Sequence, residues 1–160
     1  MRRTSTLCYL CCLLLTASAF VRADDTYQPL PLNQVPKAVR DAVLKKFPDA
    51  KPQDAHQGID ENKKPYIDVH ILAGSRKVWI TCEPSGAIRT IDREITLQEL
   101  PSAVAAALQR KYPKTTVRLV NEIIEGPSPV YDVALTANKK PLIATFSSTG
   151  EFLSENDDDP

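Results

Sequence analysis

Between Val35 and Phe47 apolar residues recur every fourth position: Val35, Val39, Val43 and Phe47, with Ala38 and Ala42 on the same side and Lys37, Arg40, Asp41 and Lys45 opposite. This is the stripe of an amphipathic helix. It returns as Leu100, Val104, Leu108 and Tyr112, flanked by Ala103 and Ala107. Pro36 and Pro101 fall in the first turn, where a missing N–H costs little. Pro48 and Pro113 disfavour helical geometry in the residue before them and end each helix. Thr96 and Glu99 have the spacing of a capping box one turn earlier.

After each helix the period drops to two. Ile67, Val69 and Ile71 alternate with Asp68, His70 and Leu72, and Val78, Ile80 and Cys82 with Lys77, Trp79 and Thr81. Val133 and Leu135, then Leu142, Ala144 and Phe146, repeat the pattern further on. Such alternation predicts strands with one buried face. Gly74-Ser75 and Asn138-Lys139 are two-residue hairpin turns of types that accept positive φ. A first strand over Gln53 to Ile59, matched by Val117 to Glu125, and a last one over Ala87 to Glu94, matched by Glu151 to Ser154, complete each unit.

The two units are copies. Pro36, Ala38, Val39, Ala42, Lys46 and Pro48 map onto Pro101, Ala103, Val104, Ala107, Lys111 and Pro113 at an offset of 65 (101 − 36). Pro84-Ser85-Gly86 maps onto Ser148-Thr149-Gly150 at 64 (150 − 86), as one loop deletion would produce. The predicted fold is α+β: two tandem repeats, each a helix followed by about four antiparallel strands, over 28–95 and 96–155. Residues 156–160 read as an acidic, solvated and disordered tail.

Composition changes the picture mainly at the N-terminus. Met1 to Ala23 has the make-up of a secretory signal: Arg2 and Arg3, an apolar run from Leu7 to Leu15, then small residues up to Ala23. The run is shorter than the roughly 20 residues a membrane span needs. Cys8, Cys11 and Cys12 raise a lipoprotein alternative, but no small residue precedes them as such a signal requires. Cleavage before Asp24 leaves 137 residues (160 − 23), for periplasm or secretion, with charge (20 − 3) − 20 = −3. So mild a charge argues against a nucleic-acid footprint and a polybasic membrane anchor. Only Cys82 survives cleavage, so no internal disulfide is available.

The run Leu-Pro-x-Ala-Val, followed by Lys-(Phe/Tyr)-Pro and strands that end in Gly-Ala-Ile or Gly-Glu-Phe, resembles the PepSY-like family. That family is related in fold to the β-lactamase inhibitor protein, itself two tandem α/β repeats. The resemblance covers both copies and rests on scaffold residues. It implies an exported module that binds a protein, by analogy with inhibitory propeptide domains of secreted peptidases.

No motif supports catalysis or a cofactor. Phosphate loops and nucleophile elbows are absent. His56 and His70 stand fourteen residues apart with no zinc-site spacing, and each reads as a half-exposed strand residue. Cys82 shares its face with Val78 and Ile80 and maps onto Phe146, which predicts a buried structural thiol. If the aliphatic positions face the helices, Asp68, His70 and Trp79 point away, with Tyr66 at the strand's edge. These four form the candidate partner-binding face. The alternative is that the other repeat covers this face and makes Trp79 core. Functionally the sequence points to a non-enzymatic binding module of the cell envelope, an inhibitor of an exported hydrolase acting by steric occlusion. The alternative is a small-ligand or ion carrier with a pocket between the repeats.

Overall fold

The computed structural model describes residues 27–158. The signal segment with its cleavage site and early cysteines, and the last two residues of the tail, lie outside them. The described elements are β1 (Tyr27–Pro29), α1 (Lys37–Lys46), β2 (Lys51–Ile59), β3 (Pro65–Ala73), β4 (Arg76–Cys82) and β5 (Ile88–Ile95). They continue with α2 (Ser102–Lys111), β6 (Thr116–Ile124), β7 (Val130–Ala137), β8 (Lys140–Ser147) and β9 (Phe152–Asp157). All nine strands form one antiparallel sheet in chain order, and the two helices pack on one of its faces.

The helix stripe is real but begins before the helix. Val35 and Leu100 are buried in an extended link between a 3₁₀ turn (Leu32–Gln34 or Leu97–Glu99) and the α-helix. The Thr96–Glu99 capping box is present and closes that 3₁₀ turn. Pro36 and Pro101 occupy the N-cap, where their fixed φ near −53° leads into the helix.

Each repeat has its own core. Val39 and Val43 sit on Val69, Ile71, Val78, Ile80 and Cys82; Val104 and Leu108 sit on Val133, Leu135, Ala144 and Phe146. The cores are laced across the β5–β6 seam, because Ile95 of β5 belongs to the second and Ile124 of β6 packs on the first. Between them, still on the helix side, Arg93 pairs with Glu122, and the Tyr131 hydroxyl donates to the same carboxylate at 3.1 Å. Each buried group of this row has a charged or hydrogen-bonding partner, as burial demands.

One glycine per repeat is fixed by contact. Gly86 (φ +90°) and Gly150 (φ +81°) turn against the first turn of each helix. A Cβ there would meet the carbonyl oxygens of Ala38 and Ala103 at 2.6 and 2.5 Å, which explains why glycine and alanine recur together at equivalent positions.

Three expectations are corrected. The chain forms a strand before the first helix, β1, on the outer edge of β2. The last strand runs beyond Ser154 to Asp157, because Leu142 pairs with Asp157 and the Asp158 amide donates to Pro141 at 3.2 Å; residues 156–158 are therefore held, with Arg118 paired to Asp158. Finally, the repeats join edge to edge, so neither covers the other's outer face, and Trp79 is half-buried on an open surface.

Candidate functional site

Directly opposed residues on antiparallel strands share a face. Register therefore defines the open face row by row. Asp54, His70, Trp79, Asp92 and Ile123 form one row; His56, Asp68, Thr81 and Thr90 form a second; Glu94, Asn121, Asp132 and Thr145 form a third. The four residues named from sequence all lie here, each half-buried. Asp68 accepts a hydrogen bond from Thr81 at 2.7 Å, and His70 meets Trp79 edge to face at 5.7 Å. The Tyr66 ring lies over Gly58, whose missing side chain makes the room, with Tyr27 6.5 Å away.

The repeat separates scaffold from specialisation. The Thr81–Asp68 bond recurs as Thr145–Asp132 at 2.6 Å, so it belongs to both copies and ties β3 to β4 and β7 to β8. By contrast, at offsets of 65 (119 − 54, 121 − 56) and 64 (134 − 70, 143 − 79), Asp54, His56, His70 and Trp79 become Leu119, Asn121, Ala134 and Ile143. The fold does not require these four groups.

Three of them belong to a cluster that sequence spacing did not reveal. Asp54 and His56 share a face of β2, and the pairing of β2 with β3 sets His70 opposite Asp54. Asp54 Oδ1 lies 2.7 Å from His70 Nδ1 and 3.5 Å from His56 Nδ1. Tyr27 stacks on His56 at 4.7 Å; burial first, and the Asp68 charge second, raise the Tyr27 pKa. Beside the cluster a cleft of about 330 Å³ is lined by Gln53, His70, Leu72, Lys77 and Trp79.

The face is acidic, with Asp54, Asp68, Asp92, Glu94 and Asp132 running across it. Its centre is under electrostatic stress. Burial, and then the nearby Asp132 charge, push the Asp92 carboxyl up to about 6, and Asn121 Nδ2 donates to its Oδ2 at a long 3.5 Å. Three buried side-chain polar atoms among the described residues have no hydrogen-bond partner: His56 Nδ1, Asp92 Oδ1 and Asn121 Oδ1. All three are on the open face. On the helix face, Cys82 is fully buried, and burial raises its pKa to about 11, with the Asp68 charge adding to the shift. A thiolate is thereby disfavoured.

The architecture is that of a BLIP-like fold. A BLIP-like protein from Bacteroides fragilis is 22% identical, with a TM-score of 0.63 over 81% of this chain and 88% of that one. A DUF2874 family protein from Bacteroides uniformis is 19% identical, with a TM-score of 0.64 over 76% and 88%. A protein from Bacteroides eggerthii to which a periplasmic location is attributed is 18% identical, with a TM-score of 0.65 over 77% and 88%. At these identities the likeness is one of fold. No protein-family model matches the sequence, and no curated protein matches it.

Proposed function

We propose that this chain is a PepSY-like, non-enzymatic binding module that works outside the cytoplasm and receives a basic, donor-rich loop of an exported hydrolase on its open sheet face. The observation that carries this reading is the placement of the unpaired buried atoms. Leaving a buried acceptor without a donor costs roughly 1–3 kcal/mol, and native folds rarely tolerate it without a reason. Asp92 Oδ1 and Asn121 Oδ1 are such acceptors, adjacent and central on an acidic face. A lysine or arginine from a partner satisfies both and relieves the repulsion between Asp92 and Asp132. Trp79 stands directly opposite Asp92, and aromatic residues are preferred anchors in protein interfaces. Occlusion then needs no chemistry: a face burying about 800 Å² per partner blocks a cleft. The attributed location of the Bacteroides eggerthii relative and the signal-like N-terminus support export.

A ligand pocket between the repeats has less behind it. The seam is hydrogen-bonded strand to strand, and Arg93, Glu122 and Tyr131 occupy its helix side.

Affinity capture from envelope extract tests the reading. The parent protein should retain an exported protein whose hydrolytic activity falls on binding. Asp92→Asn and Trp79→Ala should lose it, while Lys45→Ala, exposed on the helix, should keep it. Capture that ignores the open-face substitutions overturns the proposal.

A further inference from the structure

Asp54, His56 and His70 of the first repeat each offer a ligand atom, all within 4.8 Å of one another, and Asp54 Oδ1 faces both His56 Nδ1 and His70 Nδ1. We propose that Asp54, His56 and His70 bind a divalent transition-metal ion of the zinc, copper and nickel class through these atoms. The inference is independent of the partner reading above.

The chemistry of the donors sets the class. Two imidazole nitrogens and one carboxylate oxygen suit zinc, copper or nickel, whereas calcium and magnesium take oxygen ligands. Bonds of about 2.0–2.1 Å in a tetrahedral site set neighbouring donors roughly 3.3 Å apart. The His56–Asp54 separation of 3.5 Å meets this, and the His70–Asp54 separation of 2.7 Å has to open by about half an ångström, which a small carboxylate rotation supplies.

One member of the cluster has no partner in the protein. His70 Nδ1 is within hydrogen-bonding distance of Asp54 Oδ1, but His56 Nδ1 is buried without a partner and faces the same oxygen. A cation there would take the His56 Nδ1 lone pair and displace the proton that His70 Nδ1 shares with Asp54. Both rings are held from behind, His56 by the stacked Tyr27 and His70 by the edge-on Trp79, so little ordering remains for binding. The imidazoles are shielded, with a quarter of their side-chain surface exposed (25% and 26%), while the Asp54 carboxylate at 53% leaves an approach from solvent. Three protein ligands leave a coordination position open, as in exchangeable sites.

The chain carries its own reporter. Trp79 is the sole tryptophan and touches His70, so copper(II) or nickel(II) bound at the cluster quenches its fluorescence. The experiment titrates untagged protein with nickel(II) chloride, with zinc(II) chloride as competitor. The expected result is saturable one-to-one quenching that EDTA reverses, zinc displaces, and calcium or magnesium leaves unchanged. His56→Asn and His70→Ala install what the second repeat already has at those positions, so the fold tolerates them, and each should weaken binding roughly ten-fold or more. A matching thermal midpoint for each variant without metal checks this. Quenching that never saturates, that persists in both variants, or that calcium displaces equally well overturns the proposal.

Discussion

Replacing Asp92 by Asn should stabilise the protein, and only above the range in which Asp92 titrates. The carboxyl lies mid-face between Trp79 and Ile123, and burial followed by the Asp132 charge raises its pKa from 3.8 to about 6. Between those values the folded chain holds a proton that the unfolded chain has released. Stability therefore falls as pH rises through this window, and the penalty is complete above it. A rise of about two pH units corresponds to roughly 3 kcal/mol at 1.36 kcal/mol per unit, and partial solvent access reduces this to about 1–2 kcal/mol. Asn keeps the shape and cannot ionise. Urea unfolding followed by circular dichroism should show Asp92→Asn ahead by that margin at about pH 7.5 and level with the parent at about pH 4. An advantage that is the same at both values, or a less stable variant at the higher one, refutes the reasoning. Because the same substitution should abolish partner capture, the cost of Asp92 is the kind of trade expected where a binding face is kept ready at the expense of the fold.

Cys82, fully buried with its thiol pushed up to about 11, should react slowly with a thiol reagent in native protein and rapidly once unfolded. Cys82→Ser should be less stable than the parent because it buries a hydroxyl, with Cys82→Ala costing the same or less, and rapid native labelling would contradict the assignment. Gly150→Ala forces a positive φ on an alanine and drives its Cβ against Ala103, so it should cost at least about 2 kcal/mol, measured by thermal or urea unfolding. Gly74→Ala meets nothing within 4 Å and carries only the backbone penalty, about 1–2 kcal/mol; equal costs at the two positions would sink the contact argument.

What the sequence disclosed was set by periodicity. Helix stripes, alternating strands, both hairpin turns and the buried Cys82 follow from which side of an element must leave water, and duplication states each of them twice. The orientation of Tyr66, Asp68, His70 and Trp79 follows from the same alternation. β1 escaped because three residues containing Pro29 show no period, and Asn156 and Asp157 escaped because an edge strand exposed throughout has no buried face to declare it. The Asp54–His56–His70 cluster escaped for another reason: it exists only across a strand pair. Its register is set by the loop from Ile59 to Pro65, where the Asp60 side chain accepts from the amides of Asn62 and Lys64 and Lys63 takes φ +60°. Counting back from that loop sets His56 against Asp68 and Asp54 against His70. The signal was present, but in the turn and not in the spacing of the histidines.

The place of β1 shows how such a sheet stops growing. At an offset of 65 (92 − 27), Tyr27, Gln28 and Pro29 stand where Asp92, Arg93 and Glu94 stand before the second repeat, and they pair with β2 as those residues pair with β6. β1 thus takes the position that a preceding unit's final strand would hold. Joining the last strand of one unit to the first strand of the next is a head-to-tail contact, and a contact of that kind has no symmetry that closes it. Left to itself it would add units, or whole molecules, without limit. Among the described residues, the β1 edge carries Pro29, which has no N–H to offer a further strand. The β9 edge carries Glu155 and Asp157, whose charges repel a further neighbour. Growth of the ribbon is thus discouraged by chemistry at both described edges of the sheet.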